Sequence, residues 1–83
     1  MFFYTHVLFS FKDKKLYIGY TNNLKRRLKE HTYGKNISTS KRLPLKLIYY
    51  EAHLSKEDAK RREKYFKTTK GKATLHQIIR IPL

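Results

Sequence analysis

The chain has 83 residues, enough for one domain and one modest core. Its 20 Lys and Arg stand against 6 Asp and Glu, a formal net charge of +14, so polyanions are the expected partners and salt should weaken their binding. The lack of cysteine excludes disulfides and thiolate metal sites, and no apolar run is long enough for a transmembrane helix.

Met1-Phe2-Phe3-Tyr4 has no charged leader, and Thr5 and His6 soon interrupt it. It is expected to be part of the fold rather than a signal peptide, with the cytoplasm as the location. No segment sets a broad apolar face against its cations, so a membrane surface is not an expected partner.

Phe2 to Phe9 is aromatic and β-branched, with Tyr4, His6 and Leu8 on one face and Phe3, Thr5 and Val7 on the other. Ser10-Phe11-Lys12-Asp13-Lys14 reads as a polar turn, and Lys15 to Tyr20 as the second strand of a hairpin. Asn22 or Asn23 should cap a helix running to about Tyr33. Gly34 to Pro44 reads as a mobile basic loop, and Leu45 to Tyr50 as a third strand. Ser55-Lys56-Glu57-Asp58 is similar to a capping box, with Leu54 placed to staple onto Ala59. That helix is expected to end near Gly71, with a short last helix through Leu75, Ile78 and Ile79. The order ββαβαα predicts an α+β fold, a small three-stranded antiparallel sheet flanked by helices over the whole chain.

Three groups of residues carry the chemistry. Arg27 and His31 are four apart and share a helical face beside Leu24 and Leu28. Arg27 offers a planar fork of donors suited to a phosphate, and His31 can donate to a phosphate oxygen or pass a proton. Taken alone, the pair would be better explained as two polar residues at the edge of a core stripe. Tyr17 and Gly19 share a strand face, and the glycine leaves room beside the tyrosine ring for a substrate backbone. Glu63 falls between Ala59 and Phe66 on one helical stripe, so its carboxylate needs a cation. A salt bridge, for instance to Arg27, and a metal ion satisfy that need equally. A single Glu suffices for Mg²⁺ when phosphate and water supply the other oxygens.

Together these segments resemble the GIY-YIG endonuclease family, in particular its small stand-alone members. Tyr17-Ile18-Gly19 matches the second signature triplet, and Leu24-Lys25-Arg26-Arg27-Leu28-Lys29-Glu30-His31 is similar to the helix that follows it. Arg42 to Glu51 looks like the family's third strand, and Ala59 to Lys67 like its metal-site helix. The ordered set covers nearly the whole chain and is far more specific than the triplet alone.

The resemblance implies metal-dependent hydrolysis of DNA, with one Mg²⁺ or Mn²⁺ ion held by Glu63. Arg27 would stabilise charge on the scissile phosphate, while Tyr17 and His31 orient water or assist proton transfer. The first triplet is Tyr4-Thr5-His6, so His6 stands where the family carries a tyrosine often given as general base. Histidine titrates near ~6.5 against ~10 for tyrosine, so a neutral His6 is a competent base at pH 7. Lys25, Arg26, Lys29, Lys35, Lys41 and Arg42 are the expected phosphate contacts. The expected substrate is DNA cut by structure or with weak sequence preference, including nicked, flapped or branched forms. The rival readings are a nucleic-acid-binding protein without turnover and a basic adaptor for an acidic protein.

Overall fold

A computed structural model describes residues 1–32 and 44–80. Three strands, β1 (Phe3–Ser10), β2 (Leu16–Thr21) and β3 (Leu45–His53), form one antiparallel sheet in the order β2-β1-β3. Helices α1 (Leu24–Thr32), α2 (Lys56–Phe66) and α3 (Thr69–Ile78) complete the expected ββαβαα order and α+β class.

Strand β1 is central and is covered on both faces, so every residue from Thr5 to Ser10 is buried. On one face Val7 packs with Phe66 of α2 and Leu75 of α3, and Leu16, Ile18, Ile48, Tyr49, Tyr65 and Ile79 close around them. The Thr5 hydroxyl donates to the carbonyl of Ala59 at 2.7 Å, pinning α2 to this face by a buried bond. On the other face Tyr4 meets Asn22, Asn23, Leu24, Lys25 and Leu28 around an open groove of about 420 Å³. Helix α1 therefore covers the opposite side of the sheet from α2 and α3.

A bulge interrupts the β1–β3 ladder. Val7 pairs with Tyr49 and Leu8 with Leu47, leaving Ile48 as the extra residue. The bulge lets consecutive Ile48 and Tyr49 both reach the core, where strict alternation would send one away.

Strands β1 and β2 each lie one residue along from the expected bounds, and the larger departures fall in β3 and at the junction of α2 and α3. Strand β3 continues to His53, because Glu51, Ala52 and His53 pair with Thr5, Tyr4 and Phe3. The helix expected to reach Gly71 stops at Phe66, and α3 begins at Thr69. Thr68 caps α3 by accepting from the Gly71 amide at 3.0 Å. Gly71 is not a stop signal. A Cβ there would lie 1.8 Å from the Tyr65 carbonyl oxygen, so glycine permits α3 to cross the end of α2. The expected staple does not form, since Leu54 is 80% exposed. Ser55 does cap α2, accepting from the Asp58 amide at 3.3 Å.

Candidate active site

Strand parity builds the centre of the site. His6 pairs with Gly19 on one side and with Tyr50 on the other, and Leu8 pairs with Tyr17. His6, Tyr17 and Gly19 therefore share the face of the sheet that α1 partly covers. A Cβ on Gly19 would come within 2.6 Å of Cε1 and 2.8 Å of Nε2 of His6. The His6 ring thus lies across the glycine, and the two signature triplets touch at their third residues. His6 is 3% exposed. The Tyr17 hydroxyl donates to Oδ2 of Asp13 at 2.6 Å.

Helix α1 starts where the Thr21 hydroxyl accepts from the Asn23 amide at 3.0 Å and donates to the Asn23 carbonyl at 3.2 Å, with Asn23 Oδ1 accepting from the Arg26 amide at 3.1 Å. Asn23, not Asn22, is the cap. No acidic residue occupies the first turn. Arg27 is half-buried and reaches Glu30 only at 3.8 Å. Its Nε is buried without a hydrogen-bond partner among the described residues. His31 falls in the last turn of α1, its side chain outside the described part. Lys25, Arg26 and Lys29 are exposed on α1, whereas Lys35, Lys41 and Arg42 lie outside the described residues.

The same sheet face carries a row of aromatic rings. Phe2 and Tyr4 lie 6.4 Å apart between ring centres, and Tyr4 meets Tyr50 edge-on at 6.0 Å. Phe2 and Tyr50 are both exposed. Such surfaces accept nucleobases without regard to sequence.

Glu63 is placed differently. It lies on α2, which packs on the Thr5 and Val7 face, away from His6 and Tyr17. Its described partner is Lys67, one turn along the helix, at 3.2 Å; it does not pair with Arg27. Lys60, three residues earlier, holds its ammonium over the ring of Tyr20 on β2. Glu63 shares that flank of the helix and so lies on the β2 side of α2. No group of three potential ligands occurs among the described residues. One carboxylate, partnered by an exposed lysine that can swing away, fits a cation that takes its remaining oxygens from phosphate and water.

A second polar cluster escaped the sequence reading. Glu51 on β3 receives Arg62 of α2 through both of its oxygens, Nε to Oε1 at 2.9 Å and Nη2 to Oε2 at 2.8 Å. It also accepts from the Tyr49 hydroxyl at 2.8 Å, and His53 Nε2 stands 3.3 Å away. The Arg62 guanidinium lies over the ring of Phe66, 4.3 Å from its centre. Hydrogen bonding to Arg62 holds the Glu51 carboxyl below its ordinary range, while burial and the Glu51 charge push the Tyr49 phenol up to about 12. The signal was present as parity, since Tyr49 and Glu51 are two apart on one strand, but their cation comes from another element.

The GIY-YIG catalytic domain profile matches residues 2–76. The chain belongs to the GIY-YIG family. A UPF0213 protein of Bacillus licheniformis is 49% identical over 65 residues, covering 77% of this chain and 66% of that protein. Another from Streptococcus agalactiae is 48% identical over 67 residues, covering 80% of this chain and 76% of the relative. A UPF0213 protein of Bacillus halodurans, solved by NMR in solution, has a TM-score of 0.60 and 36% identity, covering 94% of this chain and 85% of its own. Membership of the GIY-YIG family implies a nuclease module with nucleic acid as its substrate. Among the described residues no helix is long and apolar enough to cross a membrane.

Proposed function

We propose that this GIY-YIG chain is a metal-dependent DNA endonuclease, directed by DNA structure or by weak sequence preference. The observation that carries the reading is Arg27. Its Nε is buried with no partner among the described residues, and a guanidinium nitrogen left so costs stability, on the order of 1–3 kcal/mol, unless an acceptor satisfies it. A phosphate oxygen is the acceptor that suits it, in a chain of net charge +14.

In this reading Glu63, on the β2 side of α2, would hold one Mg²⁺ or Mn²⁺ ion, which would supply Lewis-acid polarisation to a phosphate bound at the β2 edge, where the two faces of the sheet meet. Arg27 binds the phosphate and offsets the charge that develops on it. Water attacks phosphorus as the bond to the leaving sugar oxygen breaks. Tyr17 orients the water, neutral His6 on the same face takes its proton, and His31 on α1 protonates the leaving oxygen. The exposed aromatic row gives the flanking nucleotides a surface to rest on.

The rival is a nucleic-acid-binding protein without turnover. It draws on the burial of His6 and on the Glu63–Lys67 pair. A panel of linear, nicked, flapped and branched DNAs with Mg²⁺ or Mn²⁺ separates the two. Wild-type protein should cut, and Glu63→Ala should lose at least ~10²-fold while metal-free DNA affinity stays nearly constant. A variant that cuts at the wild-type rate removes the metal-site assignment. Wild-type binding without cutting on every substrate establishes the rival.

A further inference from the structure

We infer that Asp13 is a positioning residue for Tyr17, setting the phenol to accept a hydrogen bond from the attacking water rather than donate one to the phosphate. The inference rests on the nuclease reading above and deepens it at one atom.

Asp13 lies in the turn between β1 and β2, and its carboxylate is fixed at both oxygens. Oδ1 accepts from the Lys15 amide at 3.0 Å, and Oδ2 accepts the Tyr17 hydroxyl at 2.6 Å. The Asp13 amide in turn donates to the Ser10 hydroxyl at 3.3 Å. The turn closes through Lys14 at a φ of 60°, a left-handed conformation uncommon for lysine, and that closure sets Asp13 four residues behind the tyrosine. A length of 2.6 Å belongs to the short, charge-assisted class of O–H···O⁻ bonds.

A phenol has one proton. With that proton committed to Asp13, the Tyr17 oxygen presents lone pairs to its other neighbours. A phosphate offers only acceptors, so it cannot take such a bond, whereas water can donate one. The carboxylate behind the ring also makes the phenolic oxygen a stronger acceptor. Holding the phosphate then falls to Arg27, and Tyr17 is left to orient water. No net proton transfer to Asp13 is required.

A turn-forming role alone would explain the Lys15 contact but not the Tyr17 contact. Asp13→Asn separates them, because the amide oxygen can keep the Lys15 bond while the charge is lost. The test compares Asp13→Asn, Tyr17→Phe and the double variant in single-turnover cleavage at saturating and limiting DNA. Tyrosine labelled with ¹³C at Cζ reports the phenol by NMR. Asp13→Asn should lower the saturated rate about tenfold, corresponding to ~1.4 kcal/mol in the barrier, without changing half-saturating DNA. It should have no further effect once Tyr17→Phe is present, and it should move the Tyr17 resonance. Wild-type cleavage by Asp13→Asn, an equal loss with and without the Tyr17 hydroxyl, or an unmoved resonance overturns the inference. Absence of cleavage by the wild-type protein is a different failure, that of the nuclease reading. The resonance then still decides whether Asp13 holds the phenol proton.

Discussion

Gly19 owes its identity to the histidine across the ladder. The His6 ring occupies the volume that a side chain at position 19 would need, with Cε1 only 2.6 Å from a Cβ placed there. Because His6 is buried, the ring has little freedom to turn aside. Gly19→Ala should therefore destabilise the protein by about 1–3 kcal/mol, the usual range for overpacking. His6→Ala in the same chain should recover most of that loss, although His6→Ala alone is destabilising. Urea unfolding of the four proteins measures the coupling, and additive effects would show that the two residues do not press on each other.

At the scale of elements, the Glu51–Arg62 pair fastens α2 to the far edge of the sheet. It joins one residue of β3 to one of the helix that also carries Glu63, with both oxygens engaged. The pKa of Glu51 is lowered in the folded protein, so its contribution is complete above the unfolded carboxylate pKa, about 4.3. It disappears as pH falls through the lower folded value. The stability difference between wild type and Glu51→Gln should thus be present at pH 7 and shrink as the solution is taken below about pH 4. Tyr49 has the opposite sign. Its pKa is raised from 10.0 to about 12, so its contribution is present below pH 10 and is lost as pH rises through about 12. Tyr49→Phe should remove that part of the alkaline loss. Thermal unfolding of the three proteins from pH 3 to 12 provides the check, and parallel curves would contradict both assignments.

For the molecule as a whole, charge determines how nucleic acid is met. Lys25, Arg26 and Lys29 stand exposed on α1 beside the face that carries His6 and the aromatic row. Binding should be nearly indifferent to sequence and steeply dependent on salt. If about six phosphates are neutralised, affinity falls ~10³-fold between 50 and 200 mM salt. Fluorescence titration across that range measures the slope, and a flat plot of log K against log salt would contradict it. Neutralising Lys25 should flatten the slope by about one unit without changing sequence preference.

The order of elements was legible because its signals are local. Alternation marked β1 and β2, the Asn22-Asn23 pair and Ser55 marked two helix starts, and the Tyr17-to-His31 spacing carried the family. Parity grouped His6 with Tyr4 and Leu8, and Tyr17 with Gly19, but that these two faces coincide was decided by the register, which sets His6 opposite Gly19 and Leu8 opposite Tyr17. What depended on distant residues was not legible. The extension of β3 to His53 is decided by its pairing with the start of β1. The role of Gly71 depends on α3 crossing the end of α2, and the shared orientation of Ile48 and Tyr49 on a bulge. Helical periodicity showed that Glu63 needs a cation, but only packing put α2 on the face opposite His6 and Tyr17 and supplied Lys67. Composition and local spacing determined the family and the order of its elements; which groups meet was left to tertiary structure, because contacts between elements follow from how their faces pack and not from the order in which they are written.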